Sequence, residues 1–248
     1  MSQAARARIV CASGRNTHAL GLTRALCIAN MNPALSIAEV SRAGGRELAG
    51  TGEWRPGPVY TFVPAHGGCK VGAIQLSLAR TWTEDLELAV LLANFAPRLR
   101  PVQQNWREMI YSRKGLDAID AGGLDPSTTA PLLEEARRRY AVLSIDLTGA
   151  TENRATPILL ASSAIFFVCD SGRESLNSVA DRVAALRTLD LESRCGMLLR
   201  RVADGLRPDV AEELTGVPVC SLGESDMELH HLAHWLGSKN AMRLAGVI

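Results

Sequence analysis

From residue 58 onward, short runs of β-branched and aliphatic residues alternate with longer segments of helical period, and this alternation constrains the fold more than any other feature of the sequence. Runs that are apolar at nearly every position suit strands buried on both faces, as in a parallel sheet covered by helices. Six such runs stand out: Val59 to Val63, Leu88 to Ala93, Ala141 to Ile145, Ala164 to Cys169, Gly196 to Leu199 and Val217 to Cys220. Between them the period predicts helices over Gly72 to Thr83, Ser127 to Arg139, Asn153 to Ala161, Glu174 to Leu189, Pro208 to Thr215 and Ser225 to Leu236. Two of these carry start signals, Asp125-Pro126-Ser127 before "TTAPLLEEARRR" and Arg207-Pro208-Asp209 before "VAEELTG".

The expected architecture is therefore α/β, a mostly parallel central sheet with helices on both faces in three layers, over residues 58–248. Residues 94–126, rich in Pro, Arg and Gly, are expected to form a long excursion with one short helix around Gln104 to Tyr111. Residues 1–57 differ in character and run into the turn-rich "GGRELAGTGEWRPGP", so they are expected to be an N-terminal extension and linker. A chain of 248 residues has length for one large core and for one or two domains.

The formal net charge of +1 removes any broad field toward nucleic acid or acidic lipid, and it argues against a nucleic-acid partner. Six cysteines are scattered without a CxxC pair, mostly in apolar runs, which suits reduced, buried thiols of a cytoplasmic protein. No leader pattern and no apolar run of about 18 residues is present, so any recruitment to a membrane is expected to come through a partner.

The stretch "VPAHGGCKVGA", residues 63–73, has the setting of a phosphate-binding loop: a strand before it, glycines within it and a helix after it. Such a loop needs backbone N–H groups converging on an anion, a lysine on the outer phosphates and a Ser or Thr hydroxyl on magnesium. With the paired glycines aligned, Val71 falls where the lysine should be, and Gly72 and Ala73 where the hydroxyl residues should be. Lys70 is displaced by one position. A second strand-turn-helix pattern at residues 8–27 has only Gly14 in its turn and no lysine, and reads as an ordinary element of the extension.

In the order and spacing of these runs, residues 58–237 resemble the MinD/ParA-type P-loop ATPases, and within them the bacterial tyrosine-kinase (CpsD/Wzc) branch. The resemblance rests on "VPAHGGCKVGAIQLSLA" for the phosphate loop and its helix, "AVLLANFAPRLRP" for the strand that carries two acids in the family, and "RRYAVLSIDLTG" for the third family strand. It continues through "ASSAIFFVCDSGRESLNSVADRVAALRTL", "GMLLRRV" and "TGVPVCSLGESDMELHHL". It implies a nucleotide site for ATP or ADP with magnesium, built on His66, Gly67, Gly68, Lys70, Gly72, Arg98, Asp146 and Arg200.

Most positions that would do chemistry in the family are changed. The resemblance matches the family's signature lysine to His66, its catalytic lysine to Val71, its magnesium-binding hydroxyl to Gly72, its two strand-end acids to Asn94 and Ala96, and its adenine-reading asparagine to Arg200. Asp146 alone stands where the family has its acid. Losing one charge-assisted hydrogen bond costs roughly 1.5–3 kcal/mol, which weakens phosphate binding without abolishing it. Losing lysine, hydroxyl and acid together removes the placed charge and metal on which phosphoryl transfer depends.

The resemblance thus implies a kept scaffold with lost catalysis, a regulatory or scaffold protein that works by association with a partner or as a homodimer and that binds nucleotide weakly or not at all. The alternative is an active ATPase or tyrosine autokinase, with Lys70 or His66 as the missing cation and Asp146 as catalytic and metal-positioning acid. Against the kinase, "GSKNAMRLAGVI" at the C-terminus holds no tyrosine. Asp146 also has a purely structural reading, as a strand-end residue capping the next turn. "HHLAHW" spaces His230 and His234 at i and i+4, a metal-capable spacing, but reads first as the polar face of the last helix. "EEARRR" complements a helix C-terminus.

Overall fold

The apolar runs become strands of one sheet in a computed structural model that describes residues 56–97, 105–113, 116–223 and 227–244. All but the last two residues of the expected extension, and Arg98 of the expected site, lie outside the described residues. In chain order the strands are β1 (Val59–Pro64), β2 (Val90–Asn94), β3 (Tyr111–Arg113), β4 (Leu116–Asp120), β5 (Val142–Asp146), β6 (Ala164–Asp170), β7 (Cys195–Arg200) and β8 (Val219–Leu222). The helices are α1 (Val71–Arg80), α2 (Thr129–Arg139), α3 (Glu152–Ala161), α4 (Arg173–Arg187), α5 (Pro208–Thr215) and α6 (Met227–Leu244).

The sheet runs β3-β4-β2-β5-β1-β6-β7-β8, and every described pair is parallel except β3 with β4. Period two sorts each strand's side chains onto two faces. Tyr60 and Phe62 point to one face, where they meet Leu78 of α1 and Ala233 of α6. Val59 points to the other, which α2 and α3 cover through Leu132 and Ile158, while α4 and α5 cover β6 and β7 through Val179 and Ala211. Three layers result, as expected.

Residues 94–126 correct the sequence reading. The short helical turn is there, at Trp106–Met109, but β3 and β4 extend the sheet beyond it. β3 is the edge strand and β4 lies next to it, and β4 is only half-buried in the pattern of "LDAID", without the continuous apolar run of a central strand. Asp117 on β4 is satisfied by the Tyr140 hydroxyl, which donates to it over 2.7 Å. Burial, aided by Asp117, raises the Tyr140 pKa well above its ordinary value.

Two helix ends also differ. The expected helix to Thr83 stops as an α-helix at Arg80 and continues as a π turn over Thr81–Asp85, closed by the Leu86 N–H on the Thr81 carbonyl. The last helix runs to Leu244 instead of Leu236. Its single glycine, Gly237, is a packing position: a Cβ there would lie 2.3 Å from Leu86 Cδ1.

Candidate functional site

β1 leads through α1 to β2 on one side of it and its neighbour β6 leads through α4 to β7 on the other, so the connections part between their carboxyl ends and open a crevice there, as in other open α/β sheets. The loop from Ala65 to Lys70 lies at this point, between β1 and α1. A cleft of about 340 Å³ opens beside it, lined by His66, Lys70 and Ile74 from the loop and α1, Asp170 and Arg200 from the ends of β6 and β7, and Leu222 from β8. Its size lies at the lower end for small-molecule sites. Three of the expected residues, His66, Lys70 and Arg200, are brought together here.

Asp170 was not anticipated. Its Oδ2 lies 2.8 Å from His66 Nε2, and its Oδ1 accepts the Gly172 N–H at 2.9 Å. The Gly68 N–H donates to His66 Nδ1 at 3.1 Å, so the histidine proton sits on Nε2, facing Asp170. Burial acts to raise the Asp170 pKa, but the Gly172 N–H, His66 and the Arg200 charge outweigh it and hold the carboxyl below its usual range. The sequence signal was an acid at the carboxyl end of a buried strand, a position to which the resemblance gave no role. A lowered folded pKa stabilises the protein above the ordinary carboxylate value, about 3.9, and is lost as the pH falls through the folded value. Asp170→Asn is therefore expected to cost about 1 kcal/mol at neutral pH and to flatten the stability loss below about pH 4, as denaturant unfolding across that range would measure.

Asp146 stands apart. It is 7% exposed at the end of β5, and its Oδ1 accepts both the Thr148 N–H at 2.7 Å and the Thr148 hydroxyl at 2.6 Å. This is the turn-capping arrangement, and Asp146 does not line the cleft of Lys70 and Arg200. Beside it on β2, Asn94 spends its carboxamide oxygen on the Ala96 N–H at 2.8 Å.

The loop itself is not shaped for phosphate. Anion-binding loops alternate right- and left-handed residues so that successive N–H groups converge. Neither Gly67, Gly68 nor Gly72 has positive φ. Three loop N–H groups are spent internally: Gly68 on His66 Nδ1, Cys69 on the His66 carbonyl at 3.1 Å, and Val71 on the Cys69 carbonyl at 2.9 Å. Val71, at the family's lysine position, is 1% exposed and packs into the core with Leu78 and Phe62. The donor set present therefore does not fit a magnesium-bound triphosphate. What the cleft offers is positive charge, with the Lys70 ammonium making no ion pair or hydrogen bond among the described residues and Arg200 beside it. Cys169, also at the cleft, has its thiol pushed up to about 12, chiefly by burial, and stays protonated at neutral pH.

No protein-family model and no curated protein sequence matches the chain. Solved structures do. A ParA family ATPase from Chlorobium tepidum TLS aligns with a TM-score of 0.57 at 16% identity, over 77% of this chain and 93% of that one. This is the fold of the MinD and ParA ATPases. The septum site-determining protein MinD of Pyrococcus horikoshii OT3, complexed with Mg-ADP, aligns at 0.56 and 15% identity over 76% and 94%. MinD in the MinC:MinD cell division complex of Aquifex aeolicus aligns at 0.56 and 13% identity over 76% and 96%. The MinD/ParA fold thus spans about three quarters of the chain. Among the described residues no helix is long and apolar enough to cross a membrane.

Proposed function

We propose that this chain is a MinD/ParA-like protein whose nucleotide site is degenerate, and that it acts as a regulatory or scaffold component through association with a protein partner or a second copy of itself. One observation carries the reading: the β1–α1 loop spends its N–H groups on itself and buries Val71 in the core at the place where the resemblance puts the lysine. Gly72, Asn94 and Ala96 stand at the remaining metal and phosphate positions, and none of them carries the charge that phosphoryl transfer draws on. The MinD neighbour solved with MinC supports association as the use to which such a scaffold is put. The domain division that goes with this reading is an extension over residues 1–57 and a MinD/ParA-like domain over 58–248.

Phosphate release from ATP, measured on the full chain with magnesium, is expected to stay at the level of a buffer blank. Light scattering is expected to give the same mass with and without magnesium-ATP. Magnesium-dependent turnover, or a mass that doubles only with magnesium-ATP, refutes the degenerate site.

A second reading, an active ATPase or tyrosine autokinase of the CpsD/Wzc type, draws support from Lys70 and Arg200 facing one cleft. It requires Lys70 to replace the family lysine, so activity that disappears in Lys70→Ala would favour it.

A further inference from the structure

His230 and His234 lie one turn apart on α6, with ring centroids 4.4 Å apart. The π turn at the end of α1 brings Asp85 against both: its Oδ2 is 3.5 Å from His230 Nδ1 and 3.6 Å from His234 Nε2. We propose that Asp85, His230 and His234 form a binding site for a divalent transition-metal ion of zinc's chemistry, outside the cleft.

The spacing is the first argument. Hydrogen bonds between nitrogen and oxygen run to about 3.2 Å, so the carboxylate stands off both imidazoles by more than such a bond allows. Ligands held tetrahedrally at about 2.0–2.2 Å from a zinc ion are about 3.3 Å apart. The two carboxylate-to-imidazole distances are close to that edge, and one donor atom from each residue lies within 4.8 Å of the others. Three protein ligands leave a fourth position for water. Imidazole donors suit zinc, copper or nickel and disfavour magnesium and calcium, which separates this site from any nucleotide metal.

The second argument is that the two backbones bearing the ligands are fixed against each other. Trp82, in the same π turn as Asp85, is fully buried and donates its indole N–H to the Ala233 carbonyl at 2.9 Å. Leu86 packs against Gly237, where no side chain intervenes. A π turn in place of the last α-helical turn changes the direction in which Asp85 leaves the helix, and such insertions recur at functional sites. Of the three residues His234 is half-buried, while Asp85 and His230 are exposed and open to an entering ion. His231 is exposed, and its ring lies farther from His230, at 6.3 Å. Leu229, the residue before His230, lines the cleft, so the ion pins the helix that forms one of the cleft's walls.

The test is calorimetric titration of the full chain, stripped with a chelator, using Zn²⁺. A single zinc per chain with micromolar or tighter affinity is expected. His230→Ala, His234→Ala and Asp85→Asn are each expected to weaken it by at least about tenfold, while His231→Ala leaves it unchanged. Zinc is also expected to raise the melting temperature of the wild type and not that of the His230→Ala/His234→Ala double variant. Cobalt in place of zinc is expected to give the visible absorption of a tetrahedral ion. Equal zinc affinity in the double variant, as thiols elsewhere would give, overturns the proposal, and so does the absence of binding in the wild type.

Discussion

Trp82→Ala is expected to destabilise the protein by about 3–5 kcal/mol, read as a lowered denaturant midpoint. Trp82 is fully buried, lies 5.5 Å from the Tyr60 ring and donates its indole N–H to the Ala233 carbonyl on α6. Removing it leaves a cavity between β1, α1 and α6 and deletes the bond to the Ala233 carbonyl, so transfer, cavity and hydrogen-bond losses add. Trp82→Phe separates them: it keeps most of the volume and loses the bond, so about 1–2 kcal/mol should go. A loss under about 1 kcal/mol in Trp82→Ala would mean that α6 does not dock on the π turn, and the metal proposal would lose its framework as well.

Gly122→Ala is expected to cost about 3 kcal/mol or more, for a different reason. A Cβ at Gly122 would meet the Ala96 carbonyl oxygen at 1.6 Å, a contact with backbone that no rotamer change relieves. The segment is tied on both sides, by the Ala121 N–H to the Asn94 carbonyl at 2.7 Å and by Arg154, which donates to the carbonyls of Gly122 and Leu124. Gly149→Ala makes a comparison: there φ is +68°, and the nearest atom is the Pro97 side chain at 3.1 Å. Its cost should be smaller, about 1 kcal/mol, since the strain is local and the neighbour can shift. Equal midpoints for the two variants would contradict this account of Gly122.

The central strands were legible because burial on both faces leaves an unbroken apolar run, as in "VYTFV" and "AVLSI", and all six expected strands are found with ends shifted by at most two residues. β3 and β4 were not legible, because the margin of the sheet is only partly covered and "YSRKGLDAID" mixes charge and apolar residues in a way that fits a loop equally well. The convergence of His66, Lys70 and Arg200 was readable through the family resemblance, which matched them to positions of one site, and the fold brings them together because strand ends in a parallel sheet collect on one edge. Their partner Asp170 was not, because only the fold brings residues 66 and 170 within hydrogen-bond range. Asp85 was hidden for the same reason and for one more: a π turn has no sequence period of its own, and it is this turn that carries the carboxylate to the histidines of α6.

Calorimetric titration of the full chain with ATP and ADP, with and without magnesium, tests the degenerate-site account most directly. The account predicts no magnesium-dependent heat, and the same result in Asp146→Ala, because Asp146 caps its own turn through Thr148 and does not line the cleft. Magnesium-dependent micromolar binding, abolished by both Asp146→Ala and Lys70→Ala, would contradict it and make this an active nucleotide site with an unusual loop.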